Sequence, residues 1–142
     1  MAAASYLRLS LLLLVGGIVG CERPPQATYP VKGIVKWRDG QPATELSDGA
    51  IELQVIEGPT IRVSPRAPIR SDGTFTLRTY RPNDGAPAGK YRVAILPWFP
   101  MEEDLPPPPK IVDRRLQSFQ TTPLQVAIKP APNEIELTID RP

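Results

Sequence analysis

The chain has 142 residues, with 17 Lys and Arg against 15 Asp and Glu and a formal charge of +2. Its basic residues form no run, so neither nucleic acid nor anionic lipid is expected as a partner. The absence of histidine removes the usual general base near neutral pH and the commonest metal ligand, and no cofactor is expected. Nineteen prolines and ten glycines exclude a protein built on long helices.

Residues 1–10 carry one charge, Arg8, and Leu9 to Gly20 are apolar apart from Ser10. An apolar core of about a dozen residues falls short of the roughly 20 that a transmembrane helix needs. A basic start, a short apolar centre and small residues before a cleavage point describe a secretory signal peptide. The stretch Ile18-Val19-Gly20-Cys21 resembles the lipobox of bacterial lipoproteins. That resemblance implies that the Cys21 thiol accepts a diacylglyceryl group and that a peptidase cuts between Gly20 and Cys21. The alternatives are a buried core cysteine or a plain membrane anchor. The leader-like run before Cys21, and Glu22-Arg23-Pro24-Pro25 after it, favour lipidation. Cleavage takes away 20 of the 142 residues, Arg8 being their only charge, and leaves 122 residues with a formal charge of +1. The expected division is a signal peptide over 1–20, a lipidated cysteine and tether over 21–28, and one folded domain over 29–142. A lone cysteine also suits an exported protein that makes no disulfide.

From Tyr29 onward the pattern is that of strands. Val31, Gly33, Val35 and Trp37 alternate with Lys32, Ile34 and Lys36, and Asp39-Gly40 supplies a hairpin turn. Ile51, Leu53 and Val55 share one face of residues 50–56, and residues 60–65 are a shorter candidate. Residues 67–80 read as a hairpin turning at Asp72-Gly73, with Phe75, Leu77 and Thr79 on one face of the outgoing arm. Residues 90–96 alternate through Tyr91, Val93 and Ile95. Residues 124–128 and 134–139 are expected to pair with each other across the loop Lys129 to Asn133. Seven or so short strands with turn residues between them predict an all-β, antiparallel sandwich. The segment 97–122 is a long crossover with one helical turn at 113–117. The expected core holds Val31, Val35, Ile51, Leu53, Phe75, Leu77, Val93, Ile95, Val126 and Leu137.

Four segments taken together resemble a group of small planctomycete lipoproteins with a carboxypeptidase-regulatory-like, transthyretin-like β-sandwich. They are VKGIVKWRDGQP, SDGTFTLRTY, DGAPAGKYRVAI and TPLQVAIKPAPNEIELTI, and they cover most of residues 29–140. The third is the most specific, a Gly-Ala-Pro-x-Gly-x-Tyr-x-Val turn into a strand. The link ATELSDG is longer than the pattern, and Leu116 stands where an aromatic residue is often found. The resemblance implies a transthyretin-like or immunoglobulin-like sandwich and an envelope location, and little activity. The hydrolases among transthyretin-like folds work with histidines, which this chain lacks.

Few residues stand out as sites. Tyr91, after Gly85, Pro87 and Gly89, is either a ligand contact or a tyrosine corner whose hydroxyl bonds nearby backbone, the latter preferred. Trp98 and Phe99 either form an exposed patch for a ligand or close the end of the core, the latter again preferred. The run Leu105 to Lys110 reads as polyproline II, a ligand for aromatic grooves or a stiff spacer. Asp39, Asp48, Asp72 and Asp84 suit turn caps better than calcium ligands, having no D-x-D-x-D spacing. The acid pairs Glu102-Glu103 and Glu134-Glu136 come with no marked nucleophile or base, so no enzyme is expected. The expected function is that of a non-catalytic lipid-anchored envelope protein, its domain outside the cytoplasm. It would act as a structural or protein-interaction module, or alternatively bind carbohydrate or peptide through its end loops. Its expected partners are the membrane, through the anchor, and envelope proteins or polysaccharide.

Overall fold

The computed structural model describes residues 25–100 and 110–142. Gly20, Cys21, Glu102, Glu103 and most of the proline run lie outside the described residues. Alternation along Val31–Trp37 makes the first strand, β1, which buries Val31, Val35 and Trp37 and turns Lys32 outward. It is followed by β2 (Ala50–Glu57), β3 (Arg66–Pro68), β4 (Thr74–Thr76), β5 (Gly89–Leu96), β6 (Gln125–Ile128) and β7 (Asn133–Ile139). These seven strands form two sheets, one ordered β4-β1-β7 and the other β3-β2-β5-β6. Of the ten expected core residues, nine are buried between the sheets and Val126 is half-buried against them.

The antiparallel expectation fails at one pair. β1 and β7 run parallel, in register from Val31 beside Asn133 to Trp37 beside Ile139. Parallel neighbours need a long crossover, and here the rest of the sandwich serves as that crossover. Alternation looks the same whichever way a strand runs, so the sequence carried no sign of it.

A second correction follows from the first. β6 and β7 are not a pair: β6 lies on β5, while β7 lies on β1 in the other sheet. Pro130 and Pro132, which lack an N–H, carry the chain between the sheets. Asn133 holds this loop by accepting from Lys129 N at 2.9 Å and donating to the carbonyls of Lys129 and Ala131. The candidate strand at 60–65 is absent; its place on β2 is taken by Arg66–Pro68. Both Asp-Gly turns form, but their arms part. After Gly40 the chain bridges back only at Pro42, beside Lys36, then crosses through the 3-10 turn Thr44–Leu46. Around Gly73 the arms β3 and β4 join different sheets, which a single bridge between Arg66 and Arg78 links at their common margin.

The expected helical turn is the 3-10 segment Arg114–Gln117, with Asp113 accepting from Arg115 N at 2.9 Å. It buries Val112 and Leu116 in the core, and Thr122 ties the same segment to the sheet by donating to the Val93 carbonyl at 2.7 Å. Among the described residues no helix is long and apolar enough to cross a membrane.

Gly33 occupies a core-facing position of β1 directly opposite Phe75. A β-carbon there would sit 2.2 Å from the tip of the Phe75 ring. The missing side chain is what lets a buried phenylalanine lie across the central strand. Gly33→Ala should therefore cost roughly 1–3 kcal/mol, as overpacked cores do. Gly40→Ala, where nothing lies within 4 Å, should lose only the glycine's ease at positive φ, about 1 kcal/mol. Denaturant melts of the processed chain check the order; equal losses would remove the packing role of Gly33.

Candidate functional site

The two ends of the sandwich are built differently. At the end where the chain enters β1, Tyr29 and Ala86 exchange backbone hydrogen bonds of 2.9 and 3.1 Å. Gly85, at φ 81°, lets them meet, since a β-carbon there would lie 1.7 Å from the Tyr29 carbonyl oxygen. The preceding loop is wound around one carboxylate. Asp84 accepts from the backbone N–H groups of Thr79, Tyr80 and Arg81 at 2.7, 3.0 and 3.0 Å. Thr79 donates its hydroxyl to the Gly85 carbonyl at 2.7 Å. Pro87 and Gly89 then lead into β5. Gly89 takes φ 155° with its α-carbon facing the Glu57 carbonyl, 2.6 Å from where a β-carbon would stand.

This turn delivers Tyr91 into the core with none of its surface exposed. Its hydroxyl donates to the Pro87 carbonyl at 2.7 Å. Burial, aided by Tyr80, pushes the phenol up to about 12, so it remains a donor at physiological pH. Gly85, Pro87, Gly89 and Tyr91 thus form one closed corner, and Tyr91 offers nothing for a ligand to touch.

At the opposite end Trp37 closes the core beneath a polar lid. Its indole N–H donates to Glu45 Oε2 at 2.9 Å, and the Arg141 guanidinium lies over the ring, 4.6 Å from its centre. Arg141 also donates to Glu45 Oε1 at 2.9 Å and reaches Asp39 at 3.5 Å. The Arg141 bond, then the Trp37 bond, hold the Glu45 carboxyl down to about 2. Beside the lid is a groove lined by Trp37, Glu45, Lys110, Ile111, Arg141 and Pro142. A neighbouring network joins Arg38 to Asp140 and Arg115 to Asp113 at 3.0 Å.

Trp98 and Phe99 follow β5 at this same far end. Trp98 does not close the core: 58% of its surface is exposed, while Phe99 is half-buried. The buried aromatic at the end of β1 is instead Trp37, under its lid, with Leu46 also buried in the core. Of the four turn aspartates, Asp39 accepts from Gln41 N at 2.9 Å, Asp72 from Thr74 N at 3.0 Å, and Asp84 is enclosed as described. Asp48 takes φ 68° between the 3-10 turn and β2. Among the described residues no three acidic or sulfur side chains gather as a metal ion requires. Glu136 pairs with Lys36 at 2.7 Å on the outer face of β7. The Trp37-Glu45-Arg141 lid escaped the sequence because Arg141 and Glu45 stand 96 residues apart, and no local pattern couples them.

No protein-family model and no curated protein matches this chain. Among solved structures, the crystal structure of a DUF3823 family protein from Parabacteroides merdae is similar over 82% of this chain, at 17% identity and a TM-score of 0.49. This chain spans about half of that one's length, 47%.

Two outcomes are expected. Tyr91→Phe should lower stability by about 1 kcal/mol, and Gly89→Val by more, because a β-branched residue at positive φ is a true outlier; denaturant melts without any ligand check both. For Glu45 the folded value lies below the ordinary 4.5, so its stabilisation is present above that pH and disappears as pH falls toward about 2. The melting temperature of the wild-type chain should drop more steeply through that window than that of Glu45→Gln. Parallel curves would mean that the lid contributes nothing.

Proposed function

We propose that this chain is a lipid-anchored protein of a bacterial envelope, similar to the planctomycete lipoproteins with a transthyretin-like sandwich. In this proposal residues 1–20 are removed, Cys21 carries the lipid, residues 22–28 are the tether and the sandwich is a non-catalytic interaction module outside the cytoplasm. The supporting observation is the polarity of the domain. Tyr29, at the entry to β1, bridges to Ala86, and β5 leads on from there to end two residues before the exposed Trp98. A seven-residue strand is about 20 Å long at roughly 3.3 Å per residue. A tethered domain would therefore hold its exposed aromatic that far from its anchored end.

A second proposal, binding of carbohydrate or peptide by the end loops, draws support from Trp98 itself. A flat, exposed indole beside half-buried Phe99 is a surface on which a sugar ring or a peptide stacks. The polar groups of the adjoining lid are already paired with one another, which suits recognition by shape and stacking better than by charge.

Both proposals are open to direct tests. Cys21→Ser should abolish incorporation of an alkyne fatty acid, because a hydroxyl is a far weaker nucleophile than a thiolate; a labelled serine variant would end the lipoprotein proposal. Trp98→Ala should leave the melting temperature unchanged while losing the partners that the wild type captures from native envelopes. If glycan or peptide ligands bind both forms equally, Trp98 is not the contact.

A further inference from the structure

The sequence contains no basic run, yet the fold assembles a basic margin where the two sheets meet. Arg66 N donates to the Arg78 carbonyl at 3.0 Å and Arg78 N to the Arg66 carbonyl at 2.9 Å. A hydrogen-bonded antiparallel bridge of this kind places two side chains on one face with α-carbons about 5.5 Å apart. Like charges so opposed repel one another. Both arginines are exposed, and neither belongs to an ion pair among the described residues. Arg81, three residues along, is likewise exposed and outside those pairs. The acids nearby are Asp48, which lines the shallow groove beside the two arginines, Glu52, which lies opposite Arg66 on β2, and Asp84. Asp84 is enclosed by three backbone N–H groups.

This margin reaches the end where the chain enters the domain. Leu77 N donates to the Val31 carbonyl at 3.0 Å, so Arg78 is one residue from the start of β1. Tyr80, 38% exposed, stands between Arg78 and Arg81. Tyr29 lies eight residue steps after Cys21, a reach of at most about 28 Å when fully extended.

We propose that Arg66, Arg78 and Arg81 form a docking edge for the phosphate groups of anionic phospholipids in the membrane that holds the anchor. Guanidinium forks match phosphate oxygens two by two, and a tyrosine at headgroup level suits the interface. The anchor alone leaves the domain free to swing; this edge fixes it with the arginines toward the membrane. The inference rests on the lipoprotein proposal.

The test uses the full acylated chain in vesicles of phosphatidylcholine alone or with phosphatidylglycerol added. Flotation reports anchoring, and phenylglyoxal modification read by mass spectrometry reports arginine access. The expected result is flotation on both vesicles and, on the anionic ones, several-fold slower modification of Arg66, Arg78 and Arg81. Arg114, at the helical turn, should be unchanged. The protection should vanish in about 1 M salt, where the screening length falls to about 3 Å. In Arg66→Gln/Arg78→Gln, Arg81 should lose its protection while the melting temperature holds. Flotation with equal modification on both vesicles would overturn the docking edge alone; no flotation on either would overturn it together with the anchor. Equal protection by inorganic phosphate in detergent would overturn the assignment to lipid.

Discussion

The first and last strands of this domain are hydrogen-bonded to each other over seven residue pairs, and every other element is accommodated within that closure. Arg38 N to the Ile139 carbonyl at 2.9 Å, and Asn133 N to the Pro30 carbonyl at 2.8 Å, carry the ladder past both ends of β1. The second sheet is formed almost wholly by chain lying between these two strands, and it lends them the apolar face they need. Such a topology makes long-range pairing the rate-determining matter in folding, in the range of roughly milliseconds to seconds for sandwiches. It also explains why β1 must be thin at its middle. Flanked on both sides and roofed by Phe75, the strand has room at position 33 for no side chain at all.

Polar groups divide into those that serve the closure and those left over. The turn carboxylates bond to backbone N–H groups: Asp39, Asp72, Asp84 and Asp113 each cap a local reversal. Glu45, Glu136 and Asp140 take up Arg141, Lys36 and Arg38. Asp39 and Asp113 also reach Arg141 and Arg115, whereas Arg66, Arg78 and Arg81 belong to none of the ion pairs among the described residues, so a nearly neutral chain displays unpaired positive charge locally. Composition alone, which counts both signs equally, is blind to that.

What the sequence made legible was whatever depends on neighbours in sequence. Alternation located most of the buried faces, and Asp-Gly pairs located the turns at Gly40 and Gly73. The Gly-Ala-Pro-x-Gly-x-Tyr stretch located the corner at Tyr91. Pairing partners were not legible, since β7 alternates identically whether it lies against β6 or runs parallel to β1. Trp98 was misplaced for a related reason. Hydrophobicity says that an indole would gain from burial, but which of the two tryptophans is buried is decided by the tertiary fold, which buries Trp37 and leaves Trp98 exposed. The lid over Trp37 and the Arg66–Arg78 bridge share this character, each being made by residues that only the tertiary fold brings together.

The two tryptophans occupy opposite environments. Trp37 is buried, with its indole N–H bonded to a carboxylate and a guanidinium across its face, whereas Trp98 stands in solvent. Intrinsic fluorescence from this protein therefore carries two separable signals. A short-wavelength component from Trp37 reports the integrity of the sandwich, and a long-wavelength component, open to collisional quenchers, reports what happens at the loop surface. Unfolding and surface association, usually entangled in one optical signal, can be followed independently without adding a label.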